Sequence, residues 1–92
     1  MATKTIWINH PPANQTVTRN FAAFGNATND VTQVQGTMTD AHGTVYNGKV
    51  LKAPRHWVIF FSAVPAGGPY TLRVFDPAAG GPSDTANNLT VR

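Results

Sequence analysis

A chain of 92 residues makes one domain with a thin core, because a fold of this size buries only about 60–65% of the surface its unfolded form exposes. Charged residues are 12% and apolar residues 41%, all four acids are aspartate (Asp30, Asp40, Asp76, Asp84) and strong helix formers other than alanine are scarce, which excludes a coiled coil, a helix bundle, a dinucleotide-binding α/β fold and an ordinary metabolic enzyme. The net charge of +3 is scattered, with only Lys49, Lys52 and Arg55 near one another, so the dense basic stripe that a nucleic-acid partner needs is missing.

Met1-Ala2-Thr3-Lys4 carries no apolar leader and runs straight into strand-like sequence. Met1-Ala2 therefore read as residues left by cloning ahead of a domain cut from a longer chain. No run of eighteen apolar residues is present, so no membrane insertion is expected. The first strand is expected over residues 5–9, closed by His10-Pro11-Pro12, where two prolines cannot donate to a ladder. A second covers 16–25, with Val17, Phe21, Ala23 and Phe24 as its apolar content. The third, 31–39, sets Val34, Gly36 and Met38 in one phase against glutamines and threonines in the other, the pattern of a strand wet on one side.

Asp40-Ala41-His42-Gly43 then turns the chain, Gly43 supplying a positive φ. A very short strand over 44–46 leads to Asn47-Gly48, a two-residue hairpin signal. Residues 56–63 are the most apolar stretch, too short and too rich in aromatic and β-branched residues for a helix, and read as a central strand. Pro65-Ala66-Gly67-Gly68-Pro69 breaks it, and 70–75 alternates Tyr70, Leu72 and Val74 against Thr71, Arg73 and Phe75. Residues 76–83 form a Pro/Gly/Ala loop with few anchoring side chains, expected to be the most mobile segment. Leu89 and Val91 mark the last strand.

Seven short strands, turn signals every eight to twelve residues and no room for helices predict an all-β antiparallel sandwich, one domain over residues 1–92. A five-stranded OB-type barrel is the alternative. The run Ile6-Trp7-Ile8…Pro11-Pro12, the Gly36…Asp40…Gly43 hairpin, Trp57-Val58-Ile59-Phe60-Phe61, Val64-Pro65-Ala66-Gly67 leading into Tyr70-Thr71-Leu72-Arg73-Val74, and the closing Leu89-Thr90-Val91 resemble a bacterial immunoglobulin-like module of the kind strung along secreted and surface proteins. The resemblance implies a seven-stranded immunoglobulin-like or fibronectin-like sandwich, extracellular or at the cell surface as part of a longer exported chain, with a cytoplasmic or virion setting as the alternatives. The paired cysteines of antibody domains are missing; bacterial members generally lack them too. A shared fold carries no function over by itself.

Chemistry-bearing groups are sparse. With no cysteine, neither a disulfide nor a thiolate metal site is available. Asp40 and His42 lie two residues apart, but without a third ligand they read as a turn-stabilising side chain and an exposed imidazole. His10 and His56 read as solvent-facing strand ends. The aspartates form no alternating calcium loop, Ser62 and Ser83 sit in no nucleophile motif, and the Gly-Gly pairs at 67–68 and 80–81 lack a phosphate-cradle context. No cofactor and no catalysis are expected. The sequons at Asn14, Asn26 and Asn88 match glycosylation acceptors at a frequency chance explains.

Aromatic residues outnumber what one inner face can use. If Ile6, Ile8, Trp57, Ile59 and Phe61 point inward, then Trp7, Val58 and Phe60 point outward by the period of two. In an immunoglobulin-like sandwich these strands share a sheet, so the three residues mark one apolar outer face, a surface that serves as an interface or a sugar-stacking platform. The expected function is that of a non-catalytic structural, spacer or adhesion-type module with neighbouring domains as partners. The alternatives are a carbohydrate- or protein-binding recognition module, by that face or by the 76–83 loop, or a virion or surface-layer decoration domain.

Overall fold

A computed structural model describes residues 5–78 and 81–92. Strand-forming alternation is realised in β1 (Ile6–His10), β2 (Thr16–Val17), β3 (Phe21–Ala27), β4 (Gln35–Thr39), β5 (Val45–Asn47), β6 (Lys49–Ala53), β7 (His56–Phe61), β8 (Gly67–Phe75) and β9 (Ser83–Val91). They form a four-stranded sheet, β1-β3-β7-β6, and a five-stranded sheet, β2-β9-β8-β4-β5. This is the immunoglobulin-like sandwich, with β1, β3, β7 and β6 in the places of strands A, B, E and D. All pairings are antiparallel except β2 with β9.

Nine strands replace the expected seven, and the differences have local causes. The single strand expected over 16–25 is two, because Thr18–Asn20 carries the chain from one sheet to the other. That crossing is fixed by the Thr18 hydroxyl donating to Asn20 O, Ala63 N–H to Asn20 Oδ1 and Val64 N–H to Arg19 O. Asn47-Gly48 closes no hairpin, since β5 and β6 belong to different sheets. Gly48 instead passes so close over Ile59 that a Cβ there would collide with its Cγ2. Strand β6 went unforeseen, and the last two strands start earlier than expected, at Gly67 and Ser83.

Inward-facing residues of both sheets make the core. Trp57, Ile59 and Phe61 of β7 meet Met38, Leu72, Val74 and Leu89 of the other sheet, all essentially solvent-free. Val31 and Val34 are buried ahead of β4 without joining its ladder. Tyr70, buried near the start of β8, donates its hydroxyl to Pro65 O at 2.7 Å, the tyrosine corner of immunoglobulin-like domains.

Burial pushes the Tyr70 phenol above its usual pKa of 10.0. The fold therefore holds the neutral form: its contribution is complete below the pKa of an unfolded tyrosine and is lost as pH rises through the raised folded value. Thermal melts at rising pH will show wild type losing stability beyond about pH 10. Tyr70→Phe will cost about 1 kcal/mol at neutral pH and lose less in the alkaline range. Parallel alkaline limbs for the two proteins would show that Tyr70 does not titrate this way.

Of the 76–83 segment, residues 79 and 80 lie outside the described residues, as do Met1-Ala2. The described part is more structured than its composition suggests. Asp76 is buried, its carboxylate accepting from Ala78 N–H at 2.9 Å, while Asp76 N–H donates to Pro82 O at 3.0 Å.

Candidate functional site

The outer face of the four-stranded sheet is apolar. Register places Phe24, Val58 and Leu51 side by side across β3, β7 and β6. Ala22, Phe60 and Lys49 form the next row on one side, and Trp7, Asn26, His56 and Ala53 the next on the other. Trp7, Phe24, Phe60 and Leu51 are 47%, 46%, 44% and 57% exposed, so roughly half of each large side chain stands in water. Val58 is half-buried between them. His10 stacks on Phe24 with centroids 5.3 Å apart, extending the aromatic surface to the β1 edge. The five-stranded sheet presents mainly Thr37, Thr39, Thr71 and Arg73, with Val45 exposed at its edge and the Arg73 guanidinium 4.5 Å above the outward Phe75 ring. The apolar residues of the two outer faces are thus concentrated on the four-stranded side.

The three residues singled out by periodicity, Trp7, Val58 and Phe60, thus lie on one sheet and one face. Sequence reasoning missed Phe24 and Leu51. The signal for Phe24 was its opposite phase to Phe21 and Ala23; the signal for Leu51 was its alternation with Val50.

Trp7 is also the wall of a groove of about 490 Å³ that it lines with Ala27, Thr28, Asn29, Asp30 and Arg55. Hydrogen bonds of the main chain, some to side chains, fix its pieces. Thr5 N–H donates to Thr28 Oγ1 and Thr28 N–H returns to Thr5 O, which holds the start of β1, while Ile8 N–H donates to Asp84 Oδ2 of the opposite sheet. Val31 N–H donates to Thr28 O, closing a turn that carries Asn29 and Asp30 over the buried Val31. Pro54-Arg55 is the two-residue turn between β6 and β7, and Arg55 O accepts from Ala27 N–H at 3.1 Å and Asn26 Nδ2 at 3.3 Å.

Arg55 has φ 64°. Proline before it fixes a negative φ, so the turn is of the type whose second position favours glycine, and an arginine there costs about 1 kcal/mol or more. Among the described residues, neither the Arg55 guanidinium nor the Asp30 carboxylate has a hydrogen-bond or ion-pair partner.

Asp40 behaves as a turn residue: its Oδ1 accepts from Thr44 and His42 N–H, both at 2.9 Å, and these bonds, Thr44 foremost, hold its carboxyl below the usual range. Gly43 has φ 87° as the turn demands. Among the described residues no three His, Asp or Glu side chains converge, and no helix is long and apolar enough to cross a membrane.

No family model matches the chain, and no curated protein matches it in sequence. Among solved structures, the RIG-5 IG1 homodimer resembles it with TM-score 0.58 at 13% identity over 99% of both chains. Dpr1 IG1 bound to DIP-eta IG1 resembles it with TM-score 0.56 at 10% identity over 95% of both. At such identities the likeness extends to the fold, and the fold of this chain is immunoglobulin-like.

Proposed function

We propose that the domain is a non-catalytic, adhesion-type recognition module of a bacterial exported multidomain protein, and that its four-stranded sheet docks against a protein surface. The observation that carries this reading is the asymmetry of the two outer faces. One is mostly threonine and arginine, with Val45 and Phe75 as its scattered apolar residues, whereas Trp7, Phe24, Leu51, Val58 and Phe60 form a contiguous apolar patch on the other, and patches of this kind mark protein contacts. Its centre is aromatic and its edge carries Lys49 and Arg55, the composition of interface cores and rims. The similar structures support the reading in that those two domains are a homodimer and a bound pair. A sandwich without cysteine, tied instead by its tyrosine corner, suits a bacterial exported chain.

A photo-crosslinking amino acid placed at Leu51, and in a second variant at Thr71 of the opposite face, tests it in the parent organism. Leu51 is the more exposed of the patch residues, so the change will leave the melting temperature within a few degrees. Protein adducts are expected from position 51 and not from 71. Equal yields from both positions, or none from 51, would dispose of the docking face.

A further inference from the structure

We propose that the groove between Trp7, the Asn29-Asp30 turn and Arg55, at the border of the apolar docking face with which it shares Trp7 and Arg55, is a binding site for a neutral saccharide. The groove of about 490 Å³ falls within the size range of small-ligand sites. Its chemistry is that of an amphipathic ring. The indole offers an apolar plane, half in water, on which the C–H face of a sugar can stack. Around it stand a guanidinium with donors only, a carboxylate with acceptors only, and the Asn29 amide with both, a set that pairs with vicinal hydroxyls. The two formal charges cancel, so the groove draws neither an anionic nor a cationic ligand in preference to a neutral one. A peptide anchor fits less well, since Trp7 and Ala27 are the apolar part of the lining and enclose no apolar pocket.

Two further observations point to a ligand rather than to a structural purpose. Arg55 and Asp30 line the same groove, are exposed, and have no partner among the described residues, so water is all that a ligand has to displace from them. Arg55 also occupies a left-handed position, φ 64°, where glycine is at ease. The arginine thus carries a backbone cost that glycine would avoid, and an outlier of this sort at the rim of a groove is grounds for a functional hypothesis. The walls are held by backbone and side-chain hydrogen bonds to β1, β3 or the core residue Val31, so little ordering of the main chain is left for the ligand to drive.

The turn geometry makes the test clean. Arg55→Gly removes the guanidinium and relieves the backbone, so the variant will melt no lower than wild type. Maltose, cellobiose, lactose, mannobiose and diacetylchitobiose, with glucuronate as the charged control, are titrated into the 15N-labelled domain. At least one neutral disaccharide is expected to shift the Trp7 indole N–H and the Asn29, Asp30 and Arg55 amides saturably, with a Kd of a few millimolar. Arg55→Gly and Asp30→Ala will each weaken that binding about tenfold or more, while Phe60→Ser will leave it unchanged. The assignment falls if no sugar in the panel gives a saturable shift up to about 50 mM, if glucuronate alone binds, or if binding survives Arg55→Gly. Loss of crosslinking at Leu51 would leave this site untouched, so the two readings fail separately.

Discussion

Trp57→Ala will melt more than about 12 °C below wild type or fail to fold at all. The side chain is 1% exposed at the centre of β7, and truncating a buried tryptophan costs about 3–5 kcal/mol in transfer and cavity terms. Its indole N–H also donates to Asn26 O at 3.1 Å, and that carbonyl loses a partner in a place water reaches poorly. A domain of this length has about 5–14 kcal/mol in all, and each kcal/mol moves the midpoint by about 4–8 °C. Thermal unfolding followed by circular dichroism measures it. Coincident melts of variant and wild type would refute the assignment of Trp57 as the keystone of the core.

Gly25→Ala will be nearly as damaging, although it adds one methyl group. Gly25 sits in the row Ile8, Gly25, Trp57 across three strands. A Cβ there would collide with the Trp7 carbonyl oxygen and lie 2.5 Å from Trp57 Cζ2. Backbone on one side and the largest core side chain on the other leave nothing that yields cheaply. Overpacking of this kind costs about 1–3 kcal/mol and more where the neighbour is main chain, so a loss of about 3 kcal/mol is expected. The damage will be local at first: β1 separates from β3, and amide exchange of residues 6–8 accelerates ahead of β8 and β9. An unchanged melting temperature with protected β1 amides would contradict the close packing at this point.

The alternation of Trp57, Ile59 and Phe61 with Val58 and Phe60 was legible because β7 is central and its two phases differ in what they touch. The same rule placed Trp7 outward and brought it to the face of Phe60. It failed for β6, an edge strand whose inward Val50 is only half-buried and whose outward Leu51 is exposed, so the contrast between phases is weak. Asn47-Gly48 misled for a different reason. Its glycine serves a close approach to Ile59, not a turn, and sequence cannot distinguish the two uses. Arg55 was hidden most thoroughly: nothing in Pro54-Arg55 announces a left-handed residue, and the groove joins residues from three separate stretches of chain. Phe24 was visible as apolar but not as exposed, because apolar residues fall in both phases of the segment, although Phe21, Ala23 and Ala27 continue the inward phase of Val17 and leave Phe24 outward.

The parallel ladder between β2 and β9 sets how the sandwich responds to force. Val17 lies beside Val91 and Thr16 beside Thr90, with Arg92 N–H donating to Val17 O and Thr90 N–H to Gln15 O. Tension that draws β2 toward its N-terminal side and β9 toward its C-terminal side slides the two strands lengthwise. Hydrogen bonds that cross the pulling axis then take the load together, in shear, rather than unzipping one after another. On its other side β9 is gripped along its length by β8, so it cannot follow β2. Resistance to stretching is governed by the height of the unfolding barrier, and this short parallel pair places that barrier at the point where the early and late parts of the chain meet.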